Sequence, residues 1–492
     1  MSIYAKVAKN TLTQIIGKVV STLLGLVAIA MITRYLGPDG FGKYTTITTF
    51  LAFFAVIADL GLTLVTAQML SNPAYNENEV LNNLFGLRLL SAVFFISLAP
   101  IIVLFSPYDN TIKLGVLICS TAFFFPALNQ VLVGLFQKKL SMGRDVLAEL
   151  ASRLILIIVV ILSLSFKLGL NGILIATVAS AAVNFLIHYI LACHFIIIKP
   201  EFNWLIWKEI INKSWPLAIT IILNLIYLRA DTLILSIYKS SSDVGLYGAA
   251  YRVIDVLTTI PFMFAGIILP ILTSAWLQKN KEYFKNVLQK SFDFMAILAI
   301  PLIIGSQLLA RPVMKFVAGS GFSDSGNILK FLIIAVAAIF LGTIFSHAVI
   351  ALNKQKKLIW FYVFTSISSL VAYFIFIPKY SYYGAASVTI YSEVAIAIFS
   401  AICVYKYSNF KPNLKVFFKA LISALIMGTF ICLVPAYDQN KLGGLLLIIL
   451  LGIVAYSLSL YLFGAICAKD IETIFKKDRG GHEISYDPNS NH

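Results

Sequence analysis

Fourteen stretches of roughly 20 apolar residues, separated by short polar turns, leave this chain few folds to choose from. Inside a bilayer every backbone N–H and C=O must find its partner within the protein, so only helices and closed barrels span. Strict period-two alternation is absent, which argues against a barrel. The expected class is therefore an all-α integral membrane protein. The spans fall at about 12–33, 44–68, 84–106, 114–136, 146–166, 170–198, 214–237, 245–275, 291–310, 327–352, 358–377, 384–405, 416–436 and 442–465. Composition agrees: 60% of the residues are apolar and only 12% charged, about half the charge of a soluble domain.

The formal net charge of +16 would suit a nucleic-acid binder, but its distribution fits a membrane protein better. With the N-terminus in the cytoplasm, 23 lysines and arginines fall in cytoplasmic segments and nine in external loops. That bias puts both termini inside and agrees with an even number of spans. No nucleic-acid partner is expected. The five cysteines stand singly in or beside apolar segments, without the spacing of a disulfide framework or a zinc site. Lys6 and Lys9 precede a full-length span with no small-residue cleavage site, so the start reads as the first helix and not a cleaved signal.

The chain repeats itself. Tyr35, Gly42 and Tyr44 match Tyr238, Gly245 and Tyr247 at a constant offset of 203. Gln137-Lys138-Lys139-Leu140 after the fourth span matches Gln355-Lys356-Lys357-Leu358 after the tenth, and Lys167 and Gly172 match Lys379 and Gly384. Landmarks six spans apart mean two copies of the same topology, parallel repeats about an axis along the membrane normal. The expected organisation is a six-helix bundle over 1–199, a second over 200–406, two added spans over 407–466 and a cytoplasmic tail over 467–492. Paired halves around a central cavity suit an alternating-access transporter. An enzyme has no need of them.

Ionisable residues within spans are expensive unless they face a cavity or a partner. The cations are Lys18, Arg88, Arg153, Arg229, Arg252 and Lys330; the clearest acids are Asp59, Glu149, Asp231, Asp255 and Glu393. Thr11, Gln14, Lys18, Ser21 and Gly25 form one stripe of the first helix, and Thr220, Asn224, Tyr227 and Asp231 form one in the seventh. Two readings of Lys18 stay open, a cavity lining or a lysine reaching back to the cytoplasmic surface. Arg252 and Asp255 share a face and either neutralise each other or take partners across the bundle. Glu149 and Arg153 read as a local pair. Asp59 and Glu393 have no local cation and are candidates, with Asp231 and Asp255, for carrying H+ or Na+. No catalytic residue, metal site or bound cofactor is expected. Lys18, Arg88, Arg229 and Arg252 are the candidate substrate cations: guanidinium forks at two depths suit a diphosphate.

The stretch RYLGPDGFGKY at 34–44, followed by ADLGL at 58–62, resembles the N-terminal signature of polysaccharide-export flippases of the multidrug/oligosaccharidyl-lipid/polysaccharide superfamily. LRADTLILSIY at 228–238 and VGLYGAAYRV at 244–253 resemble the start of their second half. The resemblance implies an O-antigen or related repeat-unit flippase of the bacterial inner membrane. Its substrate would be an oligosaccharide on undecaprenyl diphosphate, moved to the periplasmic leaflet, with polysaccharide polymerase and chain-length proteins as partners. It also implies a cationic lumen. A multidrug extruder of the superfamily is the first rival, but the first span here holds Lys18 and no acid. A lipid II flippase would share the fourteen spans and the cationic cavity. A membrane glycosyltransferase or polymerase, the rival of another class, usually needs a large external loop with catalytic acids, and the longest such loop (311–326) has Asp324 alone.

Overall fold

The computed structural model describes residues 3–71, 76–433 and 442–465. The expected tail over 467–492 lies outside the described residues, as does Cys467. The helices are α1 (Ile3–Asp59), α2 (Leu62–Ser71), α3 (Glu77–Leu104), α4 (Asn110–Lys138), α5 (Gly143–Ser165), α6 (Gly169–Cys193), α7 (Trp204–Tyr238), α8 (Ser241–Leu277), α9 (Lys281–Ala318), α10 (Ser325–Ala351), α11 (Gln355–Ser408), α12 (Lys415–Leu433) and α13 (Leu442–Leu462). Among the described residues, eleven helices are long and apolar enough to cross a membrane. Two of them, α1 and α11, are each a pair of crossings joined at a kink, and the 35-residue α7 supplies a further one. The fourteen expected spans are thereby accounted for in an all-α, multi-pass membrane protein.

The hairpins are tighter than the sequence suggests. Between the first two expected spans, where Gly37, Pro38, Gly40 and Gly42 cluster, only Gly37 leaves the helix, at φ 65° and ψ −178°. Glycine adopts positive φ without a Cβ penalty, and the proline after it starts the next helix at a position whose N–H is unpaired anyway. The kink of α11 falls on Ser381, at φ 51°. The second crossing is interrupted where no break is expected, at Leu60 (φ 48°) and Gly61 (φ 73°), between α1 and α2. Helices α7 and α9 overrun their expected spans, each capped by an asparagine side chain, from Asn203 to the Leu205 N–H and from Asn280 to the Tyr283 N–H.

Two sets of six crossings, α1–α6 and α7–α11, form the halves. We call the end of the bundle where α1 begins the near end and the end at Gly37 the far end. The repeat is visible in the contacts. Tyr44 Oη meets Thr177 Oγ1 at 3.5 Å in the first half, and Tyr247 Oη meets Thr389 Oγ1 at 3.4 Å in the second. The matched glycines meet each other at the far end. A Cβ on Gly42 would lie 1.6 Å from the Ser241 carbonyl oxygen, and one on Gly245 would lie 2.0 Å from that of Pro38. Around this seam Phe41 and Phe322 stack edge to face at 5.8 Å, Tyr108 Oη meets Ser236 Oγ at 2.7 Å, and Arg34 donates to the Phe316 carbonyl oxygen. At the near end the connecting segment is held by the first half: Asn82 and Asn83 donate to the Glu201 carboxylate, and their own carbonyl oxygens accept from the N–H groups of Lys199 and Asn203.

Candidate functional site

Between the seam and the near end lies a chamber of about 300 Å³ shared by both halves. Helices α1 and α5 contribute Lys18, Ser21, Gly25 and Arg153; α8 contributes Arg252, Asp255 and Thr259. The small residues of the α1 stripe explain the opening: a Cβ on Gly25 would lie 3.8 Å from Arg153 Cζ, so the guanidinium lies across a bare stretch of helix. Glu149 accepts from Ser21 Oγ at 2.7 Å and faces two cations, Lys18 at 3.4 Å and Arg153 at 3.9 Å. Lys18 is half exposed, neither sealed in protein nor paired one-to-one.

Arg252 and Asp255 do not neutralise each other. Asp255 takes Arg229 instead, at 2.8 Å across the α7–α8 interface, and Arg229 also lies over the Tyr251 ring. Among the described residues Arg252 has no carboxylate within 4 Å. The cluster of Lys18, Arg153, Arg229, Arg252, Glu149 and Asp255 therefore carries two net positive charges. Because charges attract more strongly away from water, such a chamber favours an anion with several acceptor oxygens.

One expectation changes and two are extended. Arg88 does not line the chamber: it is 1% exposed and pairs with the Asp59 carboxylate. Its remaining N–H groups go to the carbonyl oxygens of Ala127 (2.7 Å) and Asp59 (2.9 Å) and to Thr63 Oγ1 (3.0 Å). The cause is the break at Leu60–Gly61, which frees helix-end carbonyls that need donors in a membrane. Ser91 Oγ serves the Ala58 carbonyl oxygen in the same way. Asp59, expected to have no local cation, takes one from another crossing and is half of a structural pair. Arg153 keeps the local partner expected for it, Glu149, and is a chamber residue as well.

Asp231 is fully buried. It accepts from Tyr247 Oη at 2.6 Å, Tyr251 Oη at 2.8 Å and Thr389 Oγ1 at 3.3 Å, and from the Thr232 N–H. Sequence reasoning missed this cage. Its signal was the pair of tyrosines four apart in VGLYGAAY, which share a helix face. The stripe partners proposed for Asp231, the side chains of Thr220, Asn224 and Tyr227, lie outside the described residues. Glu393 is 7% exposed and lines a second cavity of about 470 Å³ inside the second half, together with Arg229, Asp255 and His347. Among the described residues no group of three or more His, Cys, Asp or Glu converges as a metal site would.

Residues 31–327 match the family described as polysaccharide biosynthesis protein. The chain belongs to that family. The match spans the seam and the chamber cations Arg153, Arg229 and Arg252, but begins after Lys18. Curated relatives include a Shigella flexneri protein named for O-antigen transport, 25% identical, over 77% of this chain and 93% of the relative. Another is the capsular polysaccharide biosynthesis protein CapF of Staphylococcus aureus, 22% identical over 79% of this chain and 97% of the relative. Among solved structures, the lipid II flippase MurJ in an inward closed conformation superposes with a TM-score of 0.75 at 19% identity, covering 93% of this chain and 99% of that one. An inward-facing MATE family multidrug transporter gives 0.64 at 16%, covering 79% and 94%. The family member described here shares their fold.

Proposed function

We propose that this family member is a flippase for lipid-linked oligosaccharides. It grips the diphosphate of an undecaprenyl-diphosphate repeat unit in the cationic chamber and releases it on the other leaflet. The observation that carries the reading is the net positive chamber between repeat-related halves, with Arg252 free of any carboxylate partner among the described residues. Repeat architecture supports transport over catalysis. The membrane would be the bacterial inner membrane with both termini cytoplasmic, so that the near end opens to the cytoplasm. Polymerase and chain-length proteins would take the product.

In this reading the far-end seam is the closed gate and the chamber is loaded from the cytoplasm. Release requires the Gly42–Gly245 seam to part and the near end to close. Lys18, Arg153 and Arg252 hold the diphosphate, while the Arg229–Asp255 pair fixes one wall of the chamber. Coupling to H+ or Na+ is part of the proposal, and Asp231 is its candidate carrier, because Asp59 and Asp255 are each held by an arginine and Glu393 lines the separate second cavity.

Arg252→Ala and Lys18→Ala should each lower surface polysaccharide in complemented cells at unchanged protein level. Full surface polymer from both variants would refute the chamber's role. Mass spectrometry of copurified lipid should find a polyprenyl-diphosphate oligosaccharide; lipid II in its place would favour the peptidoglycan precursor as substrate. For coupling, transport in vesicles should respond to a proton or sodium gradient and lose that response in Asp231→Asn; a gradient-independent rate would remove this part.

A further inference from the structure

The second cavity is not needed to hold a diphosphate, and its two open positions ask for a donor. Glu393 has a buried carboxylate oxygen with no hydrogen-bond partner among the described residues. A buried acceptor of this kind is costly unless a ligand completes it. His347 Nδ1 lies 2.8 Å from the Thr343 carbonyl oxygen, so Nδ1–H donates and Nε2 is left as an acceptor. Arg229 in the same wall is already engaged by Asp255, so the positions left open at Glu393 and His347 are acceptors, while the Thr258 and Ser346 hydroxyls can both donate and accept. A ligand rich in donors fits: one bearing several hydroxyls. The aromatic rings of Phe262 and Tyr362 line the same space and offer apolar faces to the C–H surfaces of such a ligand. At about 470 Å³ the cavity is within the range of small-ligand sites.

Its position supplies the rest. Asp255 lines both this cavity and the cationic chamber, so a group attached to a diphosphate in the chamber is carried to its mouth. We propose that the second-half cavity is the subsite for the sugar proximal to the diphosphate, with Glu393 and His347 accepting from its hydroxyls. This rests on the flippase reading and extends it: the first chamber recognises what all lipid-linked substrates share, and the second tests what is attached. Glycan preference then resides in one half of the protein.

The test uses full-length protein in nanodiscs and three probes: undecaprenyl diphosphate, the same lipid bearing one N-acetylglucosamine, and free N-acetylglucosamine. Wild type should bind the glycosylated lipid about tenfold more tightly than the bare one, since each added hydrogen bond to a buried acceptor contributes a factor of this order. Free sugar should bind to neither wild type nor variants at millimolar concentration. Glu393→Leu should abolish the tenfold preference with bare-lipid affinity unchanged, Glu393→Gln should restore part of it, and His347→Leu should weaken it. Arg252→Ala should weaken both lipids equally. A glycosylated-to-bare ratio near one in wild type, or one unchanged in both Glu393→Leu and His347→Leu, overturns the sugar subsite while leaving the diphosphate chamber standing. Free sugar binding as tightly as the lipid-linked form overturns it as well. Failure of bare lipid to bind, or to respond to Arg252→Ala, overturns the flippase reading and this one with it.

Discussion

Gly42→Ala should push the protein out of the conformation described here. The new Cβ would sit 1.6 Å from the Ser241 carbonyl oxygen, and real Cβ atoms keep at least 3.0 Å, so α8 must retreat by roughly 1.4 Å along that line. The obstacle is backbone on a buried helix and not a side chain that can rotate away. Overpacking of this kind costs about 1–3 kcal/mol. In the alternating-access reading proposed above, the cost falls only on the state in which the seam is shut, which makes it a bias between states of about 5- to 150-fold. Phe322, buried against Phe41 in the seam, reports on it: in a background without the native cysteines, Phe322→Cys should react slowly with a water-soluble maleimide. Adding Gly42→Ala should speed that reaction by at least fivefold. Gly266→Ala is the control, on the same α8 but with nothing within 4 Å of its added Cβ, and should leave the rate alone. Equal labelling rates in the Gly42→Ala and Gly266→Ala proteins would refute the argument that the glycine pair is a contact specific to the shut state.

Arg88→Ala or Asp59→Ala should each destabilise the protein by about 3–5 kcal/mol, because each leaves an uncompensated buried charge; thermal unfolding in detergent measures it, and a loss under 1 kcal/mol would contradict the pairing. Arg88→Lys should fail to rescue, since one ammonium cannot serve a carboxylate, two carbonyl oxygens and a hydroxyl on different helices. At the near end, Asn83→Ala removes a bond to the Glu201 carboxylate and one from the Asn203 N–H, and should speed hydrogen exchange over 199–203 by roughly 5- to 30-fold. Glu149→Gln should strengthen binding of a polyprenyl diphosphate, because it removes the carboxylate that competes with the ligand for Lys18 and Arg153; weaker binding would mean that Glu149 serves to position them.

The long-range order of this fold is legible because hydrocarbon thickness fixes helix length and because a duplicated chain repeats its turns. Tyr35, Gly42 and Tyr44 with their partners 203 residues on are enough to locate both hairpins. What the sequence does not disclose is which buried charge meets which. Arg88 and Asp59 lie 29 residues apart on different crossings, and their pairing follows from the helix break at Leu60–Gly61, which leaves no mark in hydropathy. The same holds for Asp255, whose nearest cation in sequence is Arg252 but whose partner is Arg229, because the packing of α7 against α8 overrides helix spacing. Chamber residues on the α1 stripe were readable, since lining a cavity imposes a helical period. Arg153 was not, because an acid four residues earlier offered it a sufficient local explanation.

Duplication has not made the two lobes equal. At the repeat offset, the residue matching Asp231 is Ala28, buried in the first half beside a tyrosine–threonine bond of the same design. The duplicated scaffold thus tolerates an interior carboxylate but does not require one. At this one position the second half alone carries a titratable group, so whatever depends on that carboxylate is built into one half of the duplicated frame.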